Sequence, residues 1–592
     1  MPAPRQMPRS EYPRPQLLRD EWLCLNGRWG FQVDAGLNGQ DQLWQERGRL
    51  AESIVVPFCP ESRLSGLRRR EFMPCVWYSR RFRVPAGWKG RRVLLHFGAV
   101  DYETTVWVNG RQVGVHRGGS GPFHFDVTDA LTGGSNLLAV RAVDETRGGL
   151  QGSGKQSWHY QSRGCLYTRV TGIWQSVWLE PVAPAHVRGL RMVGDPAGGR
   201  IHVTATIAGG AAGLTLSVRA RAGRRVVGSA VAAANGLAAT AVVELDHVRK
   251  WSPDDPFLYD MEIALLDGEK TVDSAASYFG LRSISLSDKA LLLNDEPIFL
   301  RMVLDQGFYP TGIWTAPSDA ALKRDIVLSQ RLGFNGARLH QKVFEPRFLY
   351  WADRLGYLVW GEFPNWGMDR SRGESVRRMT AEWVEIVQRD FNHPSIIGWC
   401  PFNETSNWPD RLMLRDVYRL AKALDPTRPV IDSSGYDHYE TDLYSVHNYE
   451  QDPRKFAAAF RPLATGGEAW RNPTALGEHA GQPYFVAEFG GTGWDVGRRK
   501  GVGSGTGERR QSWGYGQAPA DRKEFLDRYR RLVTTLLRHP RMAGMCYTQL
   551  YDIEQEINGL LTYDRKMKFD PKVIAEINRQ TAAIEKGNPR PE

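Results

Sequence analysis

From about residue 285 to its end, the chain repeats one alternation eight times: a short apolar run, then polar or helix-patterned sequence. The runs read PIFLRMV, GFNGARL, GYLVWGE, SIIGWCPF, RPVIDSS, DLYSVH, PYFVAEF and AGMCYTQ. Each is too short for a helix and too continuously apolar for a strand with one face in water. Strands of that kind belong to a parallel sheet covered on both faces. Between several of them lie helical patterns. SDAALKRDIVLSQRL opens on Ser318, a capping residue, and sets Leu322 and Ile326 on one face. EPRFLYWADRL and the stretch from Ser375 to Phe391 are two more. Eight such alternations predict a (β/α)8 TIM barrel over residues 285–592. An open doubly wound sheet is the alternative, but no G-x-G-x-x-G follows the first run to support it.

The sequence ahead of the barrel keeps a different rhythm. In residues 1–182, Val93, Leu95 and Phe97 alternate in RRVLLHFGAV, and TTVWVNGRQVGV places Asn109-Gly110 between two strands. Asn-Gly at that spacing predicts a two-residue hairpin, because both positions accept positive φ. Two packed antiparallel sheets in a jelly-roll-like β-sandwich fit this segment. In residues 183–284, Ile201, Val203, Ala205 and Ile207 alternate, and further short strands follow in LTLSVRARAGRRVVGSAV and WSPDDPFLYDMEIALLD. That pattern predicts an immunoglobulin-like β-sandwich, here without cysteine. Three domains suit a chain of 592 residues, which exceeds one ordinary core.

Charge and cysteine content exclude other classes. The net charge is +11, but its arginines are dispersed and the densest run, Arg68 to Arg70, is short. A nucleic-acid partner needs that charge gathered on one face, so none is expected, while a preference for anionic substrates stays open. The six cysteines are scattered without a C-x-x-C pair, which argues against a zinc ribbon or a redox motif. No membrane association is expected, since no apolar stretch reaches the ~18 residues of a spanning helix. The N-terminal MPAPRQMPRSEYPRPQ lacks an apolar signal region. A cytoplasmic location is expected, or a periplasmic or secreted one if a signal peptide was removed. A homo-oligomeric state is left open. The 20 tryptophans, besides filling β-domain cores, supply flat faces for stacking sugars.

The residues at the C-terminal tips of the eight runs converge on one chemistry. Asp305 follows the first run; Arg338 and His340 end the second; Glu362 and Trp366 follow the third. Asn403 and Glu404 end the fourth, His447 and Tyr449 follow the sixth, Glu488 ends the seventh, and Tyr547 and Gln549 lie at the eighth. Barrels of this kind build their sites at that face. Strands four and seven oppose each other across its mouth, so Glu404 and Glu488 would approach a bound sugar from two sides. Two carboxylates so placed serve as acid and nucleophile, or acid and base, in glycosidic cleavage. Asn403-Glu404-Thr405 also matches a glycosylation sequon, a reading that a buried strand end disfavours.

With these motifs on the page, nearly the whole chain resembles glycoside hydrolase family 2, which includes β-galactosidases, β-glucuronidases and β-mannosidases. WYSRRFRVP, VWVNGRQVGVHRGG and TGIWQSVWLE look like that family's sugar-binding domain. NHPSIIGWCPFNE looks like its acid/base signature, YFVAEFGG like its nucleophile strand, and YTQLYDIEQEINGLLTYDR like a C-terminal signature of one branch. The resemblance implies a retaining exo-glycosidase with Glu404 as general acid/base and Glu488 as nucleophile. Asn403 would bond the sugar 2-OH, Arg338 would orient or ionise the nucleophile, Tyr449 would donate to Glu488, and His340 and Glu362 would line the glycone pocket. No cofactor is required and no metal site is expected, Glu362 being assigned to sugar rather than to Mg²⁺.

Departures bear on the glycone. The first strand reads RMVLDQGFYP where β-galactosidases carry RGVNRHEHHP, which places Asp305 among the expected sugar contacts. The Asn-x-Lys element of glucuronidases is not found, although Arg498, Arg499 and Lys500, in the long loop from Gly490 to Ala518, are candidates to hold an acidic sugar. β-Galactosidase-like specificity is the first reading, with β-glucuronidase and α-L-arabinopyranosidase as alternatives. From another class, a non-catalytic carbohydrate-binding protein on a retired scaffold competes, but loss of one carboxylate would be expected there, and both are present.

Overall fold

The computed structural model describes residues 7–406, 411–496 and 512–585. Arg498, Arg499 and Lys500 lie outside them. In the first sandwich a six-stranded and a four-stranded antiparallel sheet face each other over Trp29, Phe31, Tyr78, Leu95, Phe97 and Val106. The Asn109-Gly110 turn joins strands Glu103–Val108 and Arg111–Arg117 with φ of 53° and 78°, as the hairpin requires. The Asn109 side chain reinforces it, donating to the Ala130 carbonyl and accepting from the Leu137 N–H, each at 2.8 Å. In the second sandwich, sheets of three and four strands enclose the alternating Ile201, Val203, Ala205 and Ile207. This is the immunoglobulin-like unit.

The barrel strands follow in order. They are Leu300–Asp305, Gly336–Leu339, Leu358–Glu362, Ile396–Cys400 (continued by Phe402–Asn403), the short fifth strand ending in Ser433–Ser434, Tyr444–Asn448, Tyr484–Gly490 and Met542–Thr548. Seven form one parallel sheet in the spatial order four, three, two, one, eight, seven, six. The fifth fills the gap. Ser433 and Ser434 pair in parallel with Phe402 and Asn403, Trp399 bridges Val430, and the Gly435 N–H donates to Ser445 Oγ at 3.2 Å. It is short because Asp432 turns the chain away from the sheet, accepting from the N–H groups of Ser433, Tyr439 and Glu440. Helices cover the outside. Helix Asp319–Arg331 starts at Ser318, whose side chain accepts from the Ala321 N–H, and buries Leu322 and Ile326.

Alternation along the strands decides which tip residues reach the interior. In the first strand Leu300, Met302 and Leu304 share the inner core with Trp360, Phe485 and Ala487. Val303 belongs instead to the core between sheet and helices.

Candidate active site

Glu404 and Glu488 meet over the barrel mouth, each at a break in strand regularity. The pairing of strand seven with strand eight shifts between Val486 and Phe489. That irregularity lets Glu488 join inward-facing Ala487 instead of pointing to the helices. Strand six breaks register between Val446 and His447 in the same way. Glu404 lies just past strand four with φ 52°, a left-handed conformation unusual for this residue type, and its N–H bonds the Ser434 carbonyl at 2.9 Å. Backbone strain of this kind collects at functional sites. An oxygen of Glu404, a nitrogen of His447 and an oxygen of Glu488 all lie within 4.8 Å of one another. His447 Nδ1 is 2.8 Å from Glu404 Oε1 and 3.5 Å from Glu488 Oε2, and its Nε2 is 2.9 Å from Ser434 Oγ.

Their surroundings differ. The Glu404 side chain is 23% exposed and that of Glu488 only 5%. Burial alone would push the Glu488 pKa up, but the positive field of His447, His340, Arg338 and Lys155 outweighs it and holds the value at about 2. Burial also pushes the His340 pKa down, so Arg338 and Lys155 are the cations that persist there at working pH. Glu488 therefore stands as an ionised carboxylate, and Glu404 is the more open of the two to solvent.

Arg338 organises the base of the site. Fully buried, it donates to Glu362 Oε1 at 2.6 Å, the Ala487 carbonyl at 2.7 Å, Glu488 Oε1 at 3.2 Å and Asn403 Oδ1 at 3.0 Å. A planar guanidinium suits this, since its donors fan out in fixed directions. By occupying Asn403 Oδ1 it turns the amide nitrogen away, and Asn403 Nδ2 is buried with no protein partner. Glu362 is held below the usual carboxylate range: burial opposes ionisation, but Arg338 and His340 outweigh it. His340 Nδ1 is 3.1 Å from Glu362 Oε2. Tyr449 donates to Glu488 Oε2 and lies flat on Tyr515, with ring centroids 3.5 Å apart.

Nine expected residues therefore share one pocket: Glu404, Glu488, Arg338, His340, Glu362, Trp366, Asn403, His447 and Tyr449. Trp366 enters by its indole N–H, which donates to the Asn403 carbonyl at 3.3 Å. Gln549 sits at the side, accepting from Gln306 at 2.6 Å and donating to Asn558 at 2.9 Å. Two expectations are corrected. Asp305 follows inward Leu304, so alternation turns it outward, where it accepts from Tyr551 and the Gly307 N–H beneath the helices. Tyr547 likewise faces outward and packs edge-on against Phe489 and Tyr529.

The first sandwich adds groups that strand-tip reasoning overlooked. Segment 144–171, between strands Asn136–Val143 and Gly172–Ile173, folds back over the barrel mouth. Its length was the available signal, for connections beyond ~12–15 residues are usually functional. Ser153 and Gly154 donate backbone N–H groups to the Trp366 and Pro364 carbonyls at 2.8 and 3.2 Å. A side chain at Gly152 would strike the Pro364 carbonyl, and one at Gly154, where φ is 56°, the Gln341 carbonyl. These two glycines permit the approach that delivers Lys155, whose ammonium lies 3.5 Å over the Trp366 ring. Burial works against its charge, but the field of Cys165, Glu404, Glu488 and Glu556 more than offsets this and keeps its pKa above the ordinary lysine value. Tyr167, from the same segment, donates to Glu556 and accepts from Gln306 at 3.1 Å.

A parallel barrel with paired carboxylates at its C-terminal mouth, preceded by two β-sandwiches, defines the class of barrel glycoside hydrolases. The chain belongs to glycoside hydrolase family 2. Family models match in order over residues 23–179 (glycosyl hydrolases family 2, sugar binding domain), 185–282 (glycosyl hydrolases family 2) and 284–498 (glycosyl hydrolases family 2, TIM barrel domain). A β-galactosidase of Thermoanaerobacter pseudethanolicus is 28% identical over 365 residues, which is 60% of this chain and 48% of that protein. A β-glucuronidase of Paenibacillus borealis is 24% identical over 456 residues, 71% of this chain and 74% of that protein. The chain thus spans about half the length of one curated relative and three quarters of the other. The crystal structure of Ruminococcus gnavus β-glucuronidase shares the fold, with a TM-score of 0.79 at 20% identity over 97% of this chain and 99% of that one. No helix among the described residues is long and apolar enough to cross a membrane.

Proposed function

We propose that the chain is a retaining, exo-acting glycoside hydrolase in which Glu404 is the general acid/base and Glu488 the nucleophile. The observation that carries this is the nearness of the two carboxylates, within 4.8 Å at their closest ligating oxygens. Double displacement uses carboxyl groups ~5–5.5 Å apart, whereas inversion needs ~6.5–9.5 Å to admit a water. In the first step Glu404 gives its proton to the leaving oxygen while Glu488 attacks C1 and forms a glycosyl ester. In the second, Glu404 takes a proton from water, which attacks C1 and frees Glu488. Negative charge thus passes from Glu488 to Glu404 and back, and His447 Nδ1, within reach of both, is placed to follow it. Asn403 Nδ2, lacking a protein acceptor, is the donor for the sugar 2-OH.

For the glycone, β-galactosides are the first reading, in keeping with the β-galactosidase relatives, and α-L-arabinopyranosides go with it because they lack only the C6 hydroxymethyl. β-Glucuronides are the second reading, favoured by the unpaired ammonium of Lys155. A binding protein on a retired scaffold is disfavoured by a site that keeps both carboxylates, an ionised nucleophile and an unspent amide donor. The test is hydrolysis of nitrophenyl β-galactoside, β-glucuronide, α-L-arabinopyranoside and β-mannoside, with early product read by proton NMR. The first-formed sugar should keep the substrate's anomeric configuration. The opposite anomer would overturn the double displacement, and absence of hydrolysis would overturn the enzyme reading.

A further inference from the structure

Lys155 is a buried cation whose part in the hydrolytic steps is limited to its field on Glu488. The residue is 6% exposed. Its contact is the Trp366 ring, and no hydrogen bond or ion pair to its ammonium occurs among the described residues. Other buried cations here do find carboxylates: Arg301 meets Glu585, Arg338 meets Glu362, Arg565 meets Asp325, and Lys568 meets Asp552. Where one does not, as at Lys342, two carbonyls at 2.7 Å take its place. An ammonium has three donors, and here the stem is buried while the nitrogen itself is not sealed from solvent, so an acceptor on a bound group can reach it. Among the described residues none accepts from it, although Glu404, Glu488 and Glu556 all act on its charge. Glu556 is occupied by Tyr167 and Asn558, and Glu488 by Arg338 and Tyr449. The ammonium is also held in place, since the Ser153 and Gly154 N–H groups just ahead of it bond the Trp366 and Pro364 carbonyls, and Trp366, under the ammonium, is tied to Asn403 beside Glu404.

We infer that Lys155 is a binding residue for an anionic group on the glycone, the carboxylate of a uronic-acid ring, so that the first sandwich sets the substrate class. This rests on the glycosidase reading above and, on the strength of this one residue, puts a uronide ahead of the β-galactoside given first there. A carboxylate completes the missing acceptors with charge-assisted bonds, about twice as strong as those a neutral hydroxyl offers. The net charge of +11 favours the approach of such a substrate.

The experiment compares nitrophenyl β-glucuronide and β-galacturonide with the matching β-glucoside and β-galactoside, in the full-length wild type and in Lys155→Met, which keeps the stem on Trp366 but removes the charge. The wild type is expected to favour a uronide over its neutral partner by at least tenfold in kcat/KM. Lys155→Met should lose about 100-fold on the uronide and at least tenfold less than that on the neutral glycoside, whose loss reports only the weakened field on Glu488, and Lys155→Arg should recover part of the difference. Equal losses on both classes overturn the inference. Turnover of neutral glycosides alone overturns it and leaves the hydrolase reading standing, whereas turnover of none sinks both. Should Lys155→Met not fold, product inhibition of the wild type decides: stronger inhibition by the free uronate than by the matching neutral sugar supports the carboxylate subsite, and equal inhibition refutes it.

Discussion

Two buried charge networks stand at the strand tips of the barrel, on opposite sides of the same sheet. The inner one joins Arg338, Glu362, His340, Asn403 and Glu488. The outer one joins Asp305 to Tyr551, with Arg565 on Asp325 at 3.0 Å and stacked 3.6 Å over the Tyr551 ring. In the inner network a cation faces carboxylates at close range and holds Glu488 ionised. In the outer one, burial and the nearby Asp325 push the Asp305 pKa up to about 6. Composition is alike in both, yet one holds the proposed nucleophile ionised while the other pins a helix to a sheet. The difference teaches that a carboxylate at a barrel strand tip is functional only if the strand's alternation, or a break in it, turns it inward.

Substitutions test that contrast, beginning with the largest effect. Glu488→Ala should reduce kcat on an aryl glycoside by roughly 10⁵-fold. Azide added to this variant should yield a glycosyl azide of inverted configuration, because the covalent step is gone. Residual activity near the wild-type level would remove Glu488 from the nucleophile's role. Glu404→Ala should cost ~10²–10⁴-fold on substrates with poor leaving groups and far less on activated aryl glycosides, whose leaving oxygen needs no proton. The same loss on both kinds would exclude Glu404 as the acid.

Asp305→Asn probes the outer network and should change kcat/KM by less than about threefold, as for a residue away from substrate. Its effect belongs to stability. An acid whose folded pKa lies above its unfolded value stabilises the fold only while protonated. Wild type should therefore lose stability relative to the variant as pH rises from ~4 through 6. Melting temperatures of the two proteins measured from pH 4 to pH 7 should diverge in favour of Asp305→Asn. Curves that run parallel, or a 100-fold fall in kcat/KM, would return Asp305 to the substrate.

Much of this architecture was legible in residue pattern because it depends on local rules. Alternation marked the sandwich strands, Asn109-Gly110 marked a turn needing positive φ at both positions, and Ser318 marked a helix start. The short fifth strand was legible too, though not that Asp432 would end it by capturing three backbone donors. Tyr547 misled because a polar aromatic at a strand tip looks the same in sequence whichever face it takes. Asp305 misled for the same reason. Lys155 escaped because it lies far from the barrel in sequence, in a segment with no regular element to announce it.

By itself, then, the sequence determined the order of the three folds and the identity of the two opposed glutamates, since hydrophobic period and strand ends are properties of neighbouring residues. Only the tertiary structure decided which tip residues share the pocket. Bulges at Glu488 and His447 override the strand period, closure of the barrel brings strands four and seven within 4.8 Å at their carboxylates, and glycine-permitted contact of the first sandwich adds a cation. Those are consequences of packing between distant segments, which no local pattern encodes.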